Sequence, residues 1–143
     1  MRPEPFPRPS APPQDVSGPA SARDSLVMTA TSLTGSPYRW GGDTPSGFDC
    51  SGFTRYVFSR HGITLPRLTQ EQFQVGQSVE PGDVRPGDLV FFTTVAPGAS
   101  HVGVAVSRDE FVHAPSERGE VRVGRLSERY WASRYLGARR VVE

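Results

Sequence analysis

Three side chains in this sequence of 143 residues have the types and the order needed for acyl transfer: Cys50, His101 and His113. A thiol beside an imidazole attacks a carbonyl carbon once the ring takes its proton. The protonated ring then passes that proton to the leaving amine. A second imidazole that accepts a hydrogen bond from the first ring's other nitrogen fixes its tautomer, so its part is orientation. Cys50 is the only cysteine, which excludes an internal disulfide framework and any multi-thiolate metal site. The third histidine, His61, precedes Gly62 and reads as the C-terminal residue of a helix, where an imidazole meets the last carbonyls.

These three residues need elements to hold them. Cys50 stands in Gly47-Phe48-Asp49-Cys50-Ser51-Gly52-Phe53, where a glycine-rich loop turns into a helix expected over 50–60. The positive end of that helix favours thiolate over thiol. Cys50, Phe53 and Val57 share one stripe, so the sulfur points along the buried face, and Gly52 keeps the turn slim for a substrate. Downstream, Val102, Val104 and Val106 alternate with His101, Gly103 and Ala105, a strand pattern with the histidine on the face opposite the valines. The small Gly103 and Ala105 are expected to let the Cys50 helix pack close on the histidine's face. His113 follows on the next strand, across a turn at Ser107-Arg108-Asp109. Only a register pairing residues of even sum, such as His113 with Gly103, sets both histidines on one face.

The remaining periodicity fills in the domain. Leu26, Ala30 and Leu33 have helical spacing after a capping-box-like start at Ser21 and Asp24, and Gly35 and Pro37 close that helix. A short helix is expected over 69–74. After Pro86-Gly87, strands are expected at 89–92, 111–113, 121–123 and 138–142, with a short helix or turn over 127–134 that buries Tyr130 and Trp131. Helices followed by antiparallel strands make an α+β domain with about five to six strands.

Composition narrows the function. With 16 cationic residues, all arginine, against 15 acidic ones, the net charge is +1, and no electrostatic footprint for nucleic acid stands out. No apolar run reaches the roughly 18 residues of a membrane span. Residues 1–19 carry seven of the 14 prolines and read as an extended, disordered tether before a folded domain over 20–143. The tether lacks the apolar stretch of a signal peptide. The C-terminal stretch, 117–143, holds seven arginines against four glutamates, by default a solvated surface.

The residues resemble the NlpC/P60 family of papain-like cell-wall cysteine peptidases, from about Ser21 to Val142. The landmarks are Pro37-Tyr38-Arg39-Trp40-Gly41-Gly42, the Cys50 segment, Leu65-Pro66-Arg67, Pro86-Gly87-Asp88-Leu89-Val90-Phe91-Phe92, His101-Val102-Gly103 and Phe111-Val112-His113-Ala114. The resemblance implies a papain-like fold and hydrolysis of an amide in the peptidoglycan stem peptide, between γ-D-glutamate and a diamino acid such as meso-diaminopimelate. It makes Cys50 the nucleophile, His101 the base and His113 the orienting residue. Tyr38 lines the oxyanion side, and Asp49 and Ser51 line the substrate cleft, although Asp49 equally suits a helix N-cap. Trp40 and Arg67 admit either substrate contact or, respectively, aromatic packing and an ion pair. No cofactor or metal is required, a monomer is expected, and the substrate sets the cell envelope as the place of action. The proline-rich tether would then be what remains after a removed leader or lipid anchor. Three alternatives stand beside this reading: an open Cys50/His101/His113 metal site, a wall-binding pseudoenzyme, and a secreted antibacterial or phage-type amidase.

Overall fold

The computed structural model describes residues 19–116 and 119–143, so the proline-rich stretch read as a tether lies outside the described residues except for Pro19. Helix α1 spans Pro19–Ser32 and α2 spans Cys50–Ser59, with a two-stranded hairpin, β1 (Asp43–Thr44) and β2 (Gly47–Phe48), between them. Short α3 (Thr69–Gln72) leads to β3 (Gln77–Val79) and a 3₁₀ turn at Pro81–Asp83. Then come β4 (Leu89–Phe92), β5 (His101–Ala105), β6 (Glu110–His113), β7 (Arg122–Arg125), α4 (Arg129–Ala132) and β8 (Tyr135–Arg140). Six strands form one antiparallel sheet in the order β3-β8-β4-β5-β6-β7. This is the α+β architecture read from the pattern.

The sheet is covered on both faces, which explains why Leu89-Val90-Phe91-Phe92 is apolar throughout instead of alternating. Leu89 and Phe91 join Val102, Val104 and Val112 against Leu26, Ala30, Phe53 and Val57 of α1 and α2. Val90 and Phe92 face the other way, with Ala105, Phe111 and Ala138, under Trp131 of α4. The valines of β5 therefore pack on the helices, while the face bearing Gly103 and Ala105 packs under α4. This corrects the expectation that the Cys50 helix rests on the small residues. Their smallness serves another neighbour. A Cβ on Gly103 would stand 2.9 Å from Phe111 Cδ2 and 3.1 Å from His113 Cβ, so the glycine makes room for the adjacent strand's rings.

Several element boundaries differ from the sequence pattern. Helix α1 begins at Pro19, not at Ser21, since proline suits a first helical turn, where its missing N–H costs nothing. Strand β8 starts at Tyr135 because it pairs along β4, with a register shift between Phe91 and Phe92. Trp131 is buried as expected, but Tyr130 is 40 % exposed. Strand β3 has no apolar alternation; it is built by pairing its edge with β8 through Gln77↔Arg140 and Val79↔Ala138.

Candidate active site

Cys50 is the first residue of α2, and the residue before it caps the helix: the Asp49 carboxylate accepts from Gly52 N at 2.7 Å. That position leaves the Cys50 backbone N–H among the first-turn donors without an intrahelical partner. Gly52 is required by the fold, because a Cβ there would collide with the Gly42 carbonyl oxygen. The same carboxylate takes two guanidinium contacts from Arg67, 3.1 Å at Oδ1 and 2.9 Å at Oδ2. Arg67 also donates to Ser51 Oγ at 2.9 Å. Asp49 is thus both N-cap and ion-pair partner, and Arg67 ties the start of α2 to the loop before α3. Fully buried Gln72 reinforces that tie by donating to the carbonyls of Ser51 and Pro66, at 3.1 and 2.9 Å.

The two histidines meet. Strands β5 and β6 pair in the register Gly103↔His113, an even sum, so both rings lie on the face covered by α4. His101 Nε2 is 2.8 Å from His113 Nδ1. When His101 donates in that bond, its Nδ1 is left as the acceptor available to a thiol. His101 is 7 % exposed and His113 2 %. The indole of Trp131 stacks on His101, with centroids 5.3 Å apart and planes inclined by 21°.

Cys50, His101, Tyr38, Asp49, Ser51 and Arg67 line one cleft of about 590 Å³. Its rim includes Trp40, Leu68 and Val95, which are 88 %, 57 % and 87 % exposed. Trp40 therefore does not pack into the core. The thiol sits at the N-terminal end of β5, with Sγ 3.9 Å from the Ser100 carbonyl oxygen and 3.5 Å from Thr69 Oγ1. Among the described residues these are its side-chain and carbonyl partners, and no bond runs from Sγ to His101. Nothing in the sequence marks Thr69, read only as the start of a short helix, or Ser100 as a partner of the thiol. Thr69 opens α3, and only the folding of that turn onto α2 brings its hydroxyl to the sulfur.

Burial governs the protonation states. It pushes the Cys50 thiol up, helped by the nearby Asp49 charge, while the Thr69 hydroxyl and the Val102 and Ser51 N–H groups pull the other way. Burial thus acts against the thiolate that the helix N-terminus favours. Burial lowers His101 to about 4. His113 is lowered in the same direction by burial, by His101 and by Arg122. In the unliganded cleft the stable pair is therefore a neutral thiol and a neutral imidazole. Burial, then the Cys50 and Asp49 charges, raise the Tyr38 hydroxyl, so it stays a protonated donor. Among the described residues no group of three or more His, Cys, Asp or Glu side chains is arranged to hold a metal ion, and no helix there is long and apolar enough to cross a membrane.

The profile of the NlpC/P60 family matches residues 35–140. The chain is 44 % identical over 125 residues to the gamma-DL-glutamyl hydrolase of Bacillus subtilis, covering 85 % of this chain and 30 % of that one. It is 42 % identical over 136 residues to the murein DD-endopeptidase MepH of Escherichia coli, covering 86 % of this chain and 50 % of that one. A solved NlpC/P60 family structure from Bacillus cereus superposes with a TM-score of 0.78 at 34 % identity, covering 85 % of this chain and 40 % of the other. The chain thus spans half or less of the length of each of these relatives.

Proposed function

The chain belongs to the NlpC/P60 family, and on that premise we propose that it is a cysteine endopeptidase of the cell envelope that hydrolyses an amide of the peptidoglycan stem peptide. The bond we assign is the one after γ-D-glutamate, before the diamino acid. The observation that carries this reading is the convergence on one cleft of a helix-start thiol and His101, which His113 bonds from behind. The names of relatives support the substrate class: one acts on gamma-DL-glutamyl linkages and another on murein. We read the chain as a monomer with no nucleic-acid partner.

In this mechanism Cys50 Sγ turns from Thr69 and Ser100 towards His101 Nδ1, gives up its proton there and adds to the carbonyl carbon. Two donors stabilise the oxyanion, the Tyr38 hydroxyl and the Cys50 backbone N–H. His101 then protonates the departing amine, a thioester remains on Cys50, and water deprotonated by His101 hydrolyses it. His113 holds the His101 ring through the 2.8 Å bond. Because burial disfavours separated charges, the proton leaves Sγ for His101 as the bond to the carbonyl carbon forms and the oxyanion takes up its two donors.

Digestion of purified sacculi and of soluble muropeptides, with mass spectrometry of the products, tests the assignment. Wild type should release fragments ending in D-glutamate and fragments beginning with the diamino acid, and Cys50→Ala should release neither. Cleavage at any other bond, or equal products from Cys50→Ala, would refute it.

A further inference from the structure

The mechanism places a positive charge on His101, a ring that is 7 % exposed, and supplies only a neutral imidazole at its other nitrogen. Two aromatic rings, themselves in contact, pack against that imidazole from one side. Phe92 lies at 6.1 Å with a 45° tilt, and Trp131 stacks at 5.3 Å with a 21° tilt. Trp131 also sets its ring edge-on to His113, with centroids 4.9 Å apart and planes at 90°, so one indole touches both histidines. It is itself pinned by Phe92, Phe111 and Tyr130 at 4.8, 5.4 and 4.8 Å. Such an arrangement allows the indole no other orientation without repacking that face of the sheet. A cavity of about 260 Å³ behind the pair is lined by both His113 and Trp131, and a smaller side chain at position 131 would extend it towards His101.

We infer that Trp131 is a positioning residue for the reaction: its π-face holds the His101 ring in the orientation that bonds His113, the two imidazole planes standing at 82°, and stabilises the charge that ring acquires when Cys50 gives up its proton. This inference rests on the proposed roles of Cys50 and His101. A cation over an indole face gains most where water is excluded; the Asp49 carboxylate of the same cleft is already paired with Arg67, and Cys50 bears charge only while its proton is on His101. The charged or titratable neighbours are Cys50 on α2, the Asp49–Arg67 pair and Tyr38 across the cleft, and His113 on β6 with Arg122 of β7 beyond it. Glu128, Tyr130 and Tyr135 lie on the α4 and β8 side. Arg122 adds repulsion. Glu128 is exposed at the start of α4, lining the rear cavity instead of touching His101.

The decisive experiment changes the electronics of the indole without changing its shape. The chain has two tryptophans, so in a Trp40→Phe background a series of increasingly fluorinated tryptophans reports on position 131 alone. The His101 protonation midpoint, followed by ¹⁵N shifts of the ring, should fall stepwise across the series, by about 0.5 pH unit in total. The hydrolysis rate should fall with it, and Tm should hold constant. A midpoint that stays put across the series would overturn the inference. Separately, Trp131→Leu should lower kcat about tenfold with KM unchanged, and Trp131→Phe should restore most of it. A folded Leu variant with wild-type kcat and pH profile would also overturn it, and should that variant not fold, the fluorinated series decides. The titration needs no turnover, so a wild-type protein that cleaves no wall peptide yet shows the stepwise midpoint would refute the proposed activity and leave this inference standing.

Discussion

Two buried polar arrangements share the sheet, and they are built in opposite ways. At one end Asp88 is fully buried, and its carboxylate takes three donors: Arg140 Nε at 3.0 Å, Arg140 Nη2 at 2.9 Å and Arg85 N at 2.9 Å. Arg140 also donates to the Asp83 carbonyl at 2.8 Å. At the other end His101 and His113 share one hydrogen bond, and burial keeps both neutral. The first is a charged clamp with its valences filled, joining the turn before β4 to the last strand. The second is a neutral pair under an indole, held ready to take a proton. Full satisfaction marks the structural cluster, and spare capacity marks the reactive one.

Breaking the clamp should have the largest effect. Asp88→Ala leaves the Arg140 guanidinium, 13 % exposed, without its carboxylate. Removing one partner of a buried pair costs about 3–5 kcal/mol, to be read from urea unfolding. The rate of the fraction still folded should be unchanged, because neither residue borders the cleft.

The histidine pair should respond to pH instead. Their folded-state midpoints lie below the ordinary value of 6.5, so the unfolded chain binds protons more readily than the folded one. Stability is then fully present above pH 6.5 and is lost as pH falls from 6.5 towards about 4. For His101 alone the loss is on the order of 3 kcal/mol. Thermal unfolding of wild type and His101→Gln across that window checks the sign: the wild-type Tm should drop on acidification more steeply than the variant's. A wild-type Tm that is flat between pH 6.5 and 4 would contradict the buried neutral pair.

Much of this contrast was legible in the sequence, and the illegible part has a common cause. The helix start at Cys50 and the alternation at 101–106 are local signals, and the structure has both elements. Which face of β5 meets α2 is not local. Period-2 spacing says that His101 and Val102 point apart, but not which layer covers each side. What the glycines clear is not local either: Gly52 clears the Gly42 backbone and Gly103 clears β6, contacts that only the folded chain brings about. Thr69 and Ser100 reach the thiol only through tertiary folding. The clamp at Asp88 has no local signal either, because its partner Arg140 stands 52 residues away.

Glycine positions sharpen the comparison at smaller scale. A Cβ on Gly124 would stand 2.8 Å from Phe111 Cζ and 3.1 Å from His113 Nε2, whereas one on Gly82 meets nothing within 4 Å. Gly124→Ala should therefore cost about 1–3 kcal/mol, as overpacking does. It should also slow hydrolysis, because the displaced His113 carries His101 with it. Gly82→Ala, beside the clamp's Asp83, should leave both quantities within error. Parallel unfolding curves and rate measurements on the two variants distinguish these outcomes.

The smallest effect belongs to a third ion pair, which isolates what burial contributes. Arg55 Nη1 and Asp43 Oδ2 are 3.9 Å apart, with side chains 39 % and 45 % exposed. The charges match those of Asp88 and Arg140, but water screens them and solvates whichever partner remains. Asp43→Ala should change stability by less than about 0.5 kcal/mol. Arg55 is not its equivalent, since its Nε also donates to the Leu65 carbonyl at 3.0 Å and so anchors the loop that carries Arg67. Arg55→Ala should cost more than Asp43→Ala, and a double-mutant cycle should show the difference arising from the carbonyl bond. Equal losses from the two single variants would mean that the exposed ion pair itself is the anchor.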